Sequence, residues 1–192
     1  NGKLVFIDAG QIDSEGNVSL VFSHASDYLL VISDQAMSQV NVPENLKPAG
    51  TNQNGAASTE NTNSGSTSGD IKYPDKAVSV VIEEINSSTP GQTVQLNMNS
   101  WTSVPMEILE AAKGKDVNVV LVMDGYSWTI NGKDIQTIYN RDRTDLKVTK
   151  NTNNIPGSTV TAVAGDNPSL QISLAHEGDF GFKATLSIGV GS

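Results

Sequence analysis

The most distinctive side chains of this sequence are large aromatic rings and the arginines that follow them. Trp101, Tyr126 and Trp128 include both tryptophans and one of the four tyrosines of the chain. When exposed, such rings stack on sugars or form binding hot spots for a protein partner, and arginine is enriched at the same hot spots. We therefore take five residues as candidate ligand-binding residues: Trp101, Tyr126, Trp128, Arg141 and Arg143.

Each of these candidates also has a structural interpretation. Trp128 lies in an alternating segment that is typical of a strand, so that its ring could belong to the core. A structural role is also the alternative for Trp101. Arg141 and Arg143 lie in a basic stretch from Lys133 to Lys150, where interleaved aspartates reduce the net charge. A solvated loop is therefore the alternative to a contact with a protein or an anionic glycan.

Nucleophilic catalysis has only a weak sequence signal. Ser23, His24 and Asp27 lie close together in the sequence. Catalytic triads are assembled from distant positions, and neighbours in a strand alternate between its faces. We therefore expect a polar strand edge here and no nucleophilic site. His176 lies in a predicted loop with no second histidine nearby, which argues against a metal site.

The acidic residues also have ordinary explanations. The segment Asp13–Asn17 spaces its oxygen atoms as the start of a calcium loop does, but it lacks the bidentate glutamate, and a polar turn with Gly16 explains it. A glycosidase would need two carboxylates that meet in a cleft. The acidic residues considered for such a pair are Glu83, Glu84, Glu107, Glu110 and Asp124. We predict no catalytic residue, no metal and no cofactor.

Composition narrows the function classes further. The chain has 192 residues, a formal net charge of −9, no cysteine and two histidines. This charge argues against nucleic acid as a partner, and the absence of cysteine excludes disulfides, cysteine-ligated zinc and thiol catalysis. No run of apolar residues is long enough to span a bilayer, so we expect no membrane insertion. The first residues also lack the apolar stretch of a signal peptide.

The pattern along the chain divides it into three zones. Residues 1–45 are predicted to form a β-hairpin segment, with strands at Lys3–Asp8 and between Val18 and Ile32. Residues 46–75 are predicted to be a flexible linker, because Gly, Ser, Thr and Asn dominate them. Residues 76–192 form the main module.

Strand patterns dominate the main module. Val117–Met123 predicts a strand buried on both faces, and Tyr126–Lys133 ends in Asn-Gly, a strong hairpin signal. One helix is predicted over Val104–Lys113, capped by Ser103. Further strands are predicted at residues 78–82, 93–98, 145–149, 158–164, 169–175 and 180–190. The predicted fold is mainly β, a β-sandwich-like domain with one α-helix.

The N-terminal segment is predicted to complete this module. Residues 3–33 carry too many apolar side chains for a free hairpin to expose to water. We therefore expect them to add strands, across the linker, to the sheet of residues 71–192. Closure within one chain is favoured because the linker is long, and strand exchange with a neighbouring copy is the alternative.

Two stretches of the sequence resemble a known type of module. Residues 101–116 and Tyr126-Ser127-Trp128-Thr129-Ile130-Asn131-Gly132 look like a repeat module of large multidomain cell-surface proteins of anaerobic gut Clostridia. Residues 22–28 resemble the closing strand of the same module type. In such modules a segment like residues 3–33 follows one like residues 170–190. The resemblance therefore implies either the tail of one repeat joined to most of the next, or a permuted module.

The resemblance implies a non-catalytic, extracellular module at the cell surface of a Gram-positive bacterium, used in adhesion. The implied partner is a host protein, for example immunoglobulin. A carbohydrate-binding module for host or dietary polysaccharide and a structural spacer repeat are the alternatives. The resemblance brings no catalytic residues with it.

Overall fold

The computed structural model describes residues 5–34 and 74–191. The predicted flexible linker, residues 46–75, lies outside these ranges except for Pro74 and Asp75. The end of the predicted hairpin segment, from residue 35 onwards, also lies outside them.

The fold is mainly β, as the sequence predicts. The strands in the described ranges are β1 (Asn17–Val31), β2 (Gln92–Asn99), β3 (Ser103–Pro105), β4 (Val117–Met123), β5 (Tyr126–Asn131), β6 (Arg143–Asp145), β7 (Val148–Lys150) and β8 (Ser169–Gly189). The helices there are α1 (Val78–Ser87), α2 (Met106–Ala112) and α3 (Gly157–Ala164), so the prediction of a single helix is wrong.

One curled sheet takes the place of the predicted sandwich. Its strand order is β1-β8-β5-β4-β2, and β7 pairs with a further part of β8. β2 and β4 are parallel, whereas the other pairs of this sheet are antiparallel. β3 and β6, with three residues each, form a separate antiparallel pair. This pair is too small to serve as the second layer of a sandwich.

The core lies on one face of the large sheet. Along β4, the side chains of Val117, Val119, Leu121 and Met123 are buried, and the side chains between them are partly exposed. The prediction that β4 is buried on both faces is therefore wrong. Buried residues of α1 and α2 belong to the same hydrophobic cluster as the buried face of the sheet. No helix in the described ranges is both long and apolar enough to cross a bilayer.

Two predicted strands are helices. Residues 78–82 begin α1, because the apolar positions Val78, Val81, Ile82 and Ile85 have the spacing of one helix face, and α1 packs against α2. Residues 158–164 lie in α3, which follows Pro156 and ends before Gly165. In both segments β-branched residues favour a strand locally. In α1 the apolar spacing and the packing against α2 stabilise the helix, whereas α3 buries only Ala164.

The predicted helix at Val104–Lys113 is confirmed as α2, with a later start. Pro105 has extended backbone angles and belongs to β3, so the helix begins at Met106. The Asn-Gly hairpin prediction is wrong, because β4 and β5 are joined through Asp124 and Gly125, where Gly125 has a φ of 82°. The actual Asn-Gly pair, Asn131-Gly132, leads into a short 3-10 helix.

The N-terminal segment contributes one long strand to the sheet. β1 pairs antiparallel with β8 in the same chain, with register shifts near Ser23 and Ser26. This confirms that the segment adds to the sheet, but a hairpin is not what the structure shows, since residues 5–8 are not in a strand. An aromatic contact between Phe22 and Trp128, with ring centroids 6.1 Å apart, joins β1 to the core.

Candidate binding site

The structure brings three of the five candidate residues to one corner of the molecule. β3 and β6 pair with Pro105 opposite Arg143. The guanidinium of Arg143 lies over the ring of Trp101, 5.5 Å from its centroid. Nη1 of Arg143 also donates a hydrogen bond to the main-chain oxygen of Ser103, at 3.4 Å. The pairing of β3 with β6 thus positions this arginine on the tryptophan.

Arg141 lies next to this pair and makes a second contact of the same kind. Its guanidinium carbon is 5.0 Å from the centroid of the Tyr139 ring. Both arginines and Tyr139 line a shallow depression of about 320 Å³ between the start of α2 and the segment before β6. We call Trp101, Tyr139, Arg141 and Arg143 the arginine–aromatic patch.

The depression carries both signs of charge. Glu107, Glu110 and Asp142 line it together with Arg141 and Arg143. A polyanion would therefore meet carboxylates as well as guanidinium groups, and like charges that face each other weaken binding. The patch suits a partner that presents both signs of charge.

Trp101 offers only part of its ring to a ligand. The residue is partly buried and packs against the hydrophobic core, and the guanidinium of Arg143 lies over its ring. Sugar stacking needs an open aromatic face. The surroundings of Trp101 therefore favour contact with a protein surface over sugar stacking.

Tyr126 is half-buried at the start of β5 and makes none of the contacts described for the patch. Its hydroxyl oxygen accepts a hydrogen bond from the main-chain N–H of Val148, at 3.1 Å. Burial is the main reason that the pKa of Tyr126 is raised above its ordinary value. Because its hydroxyl contacts β7, Tyr126 joins β5 to β7.

Trp128 is a core residue, which corrects its candidacy as a ligand-binding residue. Its side chain has 0% exposure. The ring is in edge-to-face contact with Phe22 and Phe180. Its position on β5 alternates with the partly exposed Ser127 and Thr129, and this period placed it on the covered face of the sheet.

Tyr139 belongs to the patch although its residue type alone does not single it out. Residues 140–142 form a bend in which the Arg141 N–H donates a hydrogen bond to the Tyr139 oxygen at 2.8 Å. This turn places Tyr139 beside Arg141, and its signal in the sequence is only an aromatic residue two positions before an arginine. Glu107 and Glu110 were considered only as a possible catalytic pair, and both are exposed on α2.

The Ser-His-Asp signal leads to a surface contact on β1 and β8. The Ser23 hydroxyl is 3.1 Å from Nδ1 of its neighbour His24, and Nε2 of His24 is 3.4 Å from Oδ2 of Asp179. Asp27 instead accepts a hydrogen bond from Asn154 at 2.7 Å. The His24 and Asp179 side chains are both at least half exposed. His176 lies in β8 and not in the predicted loop.

The segment Asp13–Asn17 is a turn. Oδ1 of Asp13 accepts hydrogen bonds from the main-chain N–H groups of Glu15 and Asn17, both at 2.9 Å. These main-chain hydrogen bonds, that of Asn17 first, lower the pKa of Asp13. Gly16 has a φ of 80°, which suits glycine. Within residues 5–34 and 74–191, no group of three or more histidines and acidic residues could hold a metal ion.

Comparison with protein-family models, curated proteins and solved structures gives no match for this chain.

Proposed function

We propose that this chain is a non-catalytic cell-surface module that binds a protein partner through the arginine–aromatic patch. The observation that supports it is the pair of guanidinium groups stacked on Trp101 and Tyr139 beside one depression. Tryptophan, tyrosine and arginine are the residues most enriched in binding hot spots. Stacking also restricts the guanidinium groups before the partner arrives, so less side-chain freedom is lost on binding.

A protein partner fits the patch better than a glycan. The patch combines aromatic contact area with guanidinium donors and the carboxylates of Glu107 and Glu110, and a protein surface can complement all three. A glycan site would need open ring faces, whereas Arg143 lies over one face of Trp101.

The setting and the kind of partner come from the resemblance of residues 101–116 and 126–132 to repeat modules of bacterial surface proteins. That resemblance supports an extracellular module used in adhesion, with a host protein as its partner. Immunoglobulin is the first partner to test.

A structural spacer repeat is the second candidate function. It is favoured by the complete burial of Trp128, because a tryptophan in the core stabilises a module without contributing to binding. The two candidates differ in what they require of the patch: a spacer needs no partner there.

The test measures binding of the full chain to polyclonal immunoglobulin G by biolayer interferometry, and to an array of host and dietary polysaccharides. We expect immunoglobulin binding that Arg143→Glu weakens by roughly tenfold or more, as expected for a hot-spot residue. Lys183→Glu is the matched control, since it makes the same charge change at an exposed position outside the patch.

Three outcomes would contradict the proposal. Equal effects of Arg143→Glu and Lys183→Glu would show a general charge effect. Binding to polysaccharide alone would favour the carbohydrate-binding alternative. No binding to any of these probes would favour the spacer.

A further inference from the structure

Among residues 5–34 and 74–191, β2 is the last strand at one side of the large sheet. Asn97 exchanges two hydrogen bonds with Asp75: the Asn97 N–H donates to Oδ1 of Asp75 at 2.9 Å, and the Asp75 N–H donates to the Asn97 oxygen at 3.0 Å. The main-chain groups of Asn97 thus point away from β4. In a parallel pair such orientations alternate along the strand, so those of Thr93 and Gln95 point outwards as well.

The outward main-chain N–H and C=O groups of Thr93 and Gln95 can pair with a further strand. Within the described ranges, Asp75 pairs with the main-chain groups of Asn97. No hydrogen bond in these ranges pairs the outward main-chain groups of Thr93 and Gln95. An exposed strand edge of this kind is a template for another strand. Gln92, Thr93 and Gln95 are uncharged, in a chain whose net charge is −9.

The opposite end of the sheet carries an exposed apolar segment. Oδ2 of Asp8 accepts a hydrogen bond from the N–H of Val21 at 2.8 Å, and Ile12 forms an isolated bridge with Val18, so that residues 8–12 cover the outer edge of β1. Immediately before them, Val5 and Ile7 are 56% and 54% exposed.

The sequence of this segment is that of a strand without a partner. Val5, Phe6 and Ile7 are among the residue types that most favour strands, yet the segment forms no strand in the described chain. Val5 and Ile7 are the most exposed large apolar residues of the described ranges. Such a segment is suited to add to a sheet edge.

We propose that residues 5–7 of one copy add as a strand to the Thr93–Gln95 edge of β2 in the next copy. The two stretches match in length, because Thr93 and Gln95 are two residues apart, as are Val5 and Ile7. They also match in charge, since neither contains a charged residue, so no charged side chains of the two stretches meet on pairing. The contact joins opposite ends of the sheet, is heterologous, and produces open-ended rows of copies.

The contact is short, and we expect it to be weak in solution. On a surface that holds many copies close together, a high effective concentration compensates for weak pairing. The sheet would then continue from copy to copy, while the arginine–aromatic patch, built from other elements, is left accessible.

The first experiment uses the absence of cysteine in the chain. A full-length chain with Ile7→Cys is mixed with one carrying Thr93→Cys under mild oxidation, and disulfide-linked heterodimers are measured on non-reducing gels. The control replaces Thr93→Cys by Ser158→Cys, which is also exposed but lies on α3. We expect several-fold more heterodimer with Thr93→Cys. Equal yields, or a predominance of Ile7–Ile7 cross-links, would overturn the proposal.

The second experiment measures self-association of the full chain by sedimentation velocity. Gln95→Pro removes an N–H that points away from β4, so no hydrogen bond to β4 is lost. Prolines are tolerated on sheet edges. We expect it to weaken association by roughly tenfold or more, while Gln95→Ala, which keeps the N–H, has little effect.

A second variant tests the proposal even if Gln95→Pro fails to fold. The double variant Val5→Lys and Ile7→Lys changes only exposed side chains and should weaken association equally. A wild-type chain that stays monomeric throughout the concentration range, or a double variant that associates like the wild type, would overturn the proposal.

Discussion

The indole Nε1 of Trp128 donates a hydrogen bond to the main-chain oxygen of Leu146, 2.9 Å away, inside the core. Trp128 and Leu146 are 0% and 1% exposed, so water cannot replace either partner. The bond joins β5 to Leu146, the first of the two residues between β6 and β7. It thereby connects the large sheet to the residue that follows the strand of Arg143.

We predict that Trp128→Phe lowers the free energy of unfolding by about 1–3 kcal/mol beyond the effect of reduced ring size, because the Leu146 oxygen is left buried without its donor. Urea unfolding followed by circular dichroism measures this. Trp101→Phe is the control, since Trp101 is only partly buried. An equal loss in both variants would contradict the importance of this hydrogen bond.

A second prediction concerns Gly132, which lies under the end of α2. A Cβ at this position would overlap the main-chain oxygen of Ala112 and would be 2.5 Å from that of Lys115. Main-chain atoms cannot move aside as a flexible side chain can, so we expect Gly132→Ala to destabilise the protein by at least about 2 kcal/mol.

The control for Gly132 is Gly157, the first residue of α3. A Cβ at Gly157 would meet no atom within 4 Å. Gly157→Ala should therefore stabilise the chain by about 0.5 kcal/mol, through the lower flexibility of alanine in the unfolded state. Thermal unfolding of the two variants measures both effects. A Gly132→Ala variant as stable as the wild type would show that α2 can shift to make room.

The sequence allowed the elements with a clear local signal to be predicted, and packing decided the others. β4 was identified by its near-continuous run of apolar residues, and α2 by its apolar face and by the turn residues at its ends. Residues 78–82 were mistaken for a strand because their β-branched side chains favour one locally, whereas contact with α2 stabilises the helix. Single-residue propensity is too weak to overcome such packing.

The candidate site was predictable only in part, for a related reason. Arg141, Arg143 and Trp101 were identified by residue type, but their meeting depends on the pairing of β3 with β6, which joins residues about 40 positions apart in sequence. Neither three-residue strand has a recognisable pattern. The burial of Trp128 follows from the alternation along β5, which predicts a core position as the alternative to a binding role.

A third prediction concerns a buried hydroxyl. Thr144 is 1% exposed, and its Oγ1 has no hydrogen-bond partner among the residues that the structure describes. Burying a hydroxyl without a partner is unfavourable. We therefore expect Thr144→Val to be at least as stable as the wild type, with a gain of up to about 1 kcal/mol. Thr129→Val on the partly exposed face of β5 is the control, and a marked loss for Thr144→Val alone would reveal a partner for the hydroxyl.

A fourth prediction concerns the acid stability of the corner around Asp116. Its side chain accepts hydrogen bonds from Lys133, at 3.1 Å, and from Asn131, at 3.2 Å, and that of Lys133 is the main cause of its lowered pKa. Because the pKa is lower in the folded state, the stabilisation is present above the ordinary value of 3.8 and is lost as the pH falls through the folded-state pKa.

The measurement compares the free energy of unfolding of the wild type and Asp116→Asn across the acidic range. We expect the difference to be constant at neutral pH and to disappear in strong acid. In a Lys133→Met background the pH-dependent part should become smaller. A difference that grows as the pH falls would contradict the assignment.

The last prediction concerns the dependence of the module on β1. The strand buries Val18, Leu20, Phe22, Ala25 and Leu30. Each large side chain contributes roughly 1.5–3 kcal/mol when buried, and without β1 the long edge of β8 would be unpaired. We therefore expect deletion of residues 1–45 to give a chain that aggregates or unfolds at a clearly lower temperature, as measured by light scattering and calorimetry. The control is the full chain cut at a protease site inserted near residue 60, whose two fragments should co-elute because β1 remains paired with β8. A deleted chain that is monomeric and as heat-stable as the full one would show that β1 is a separate unit.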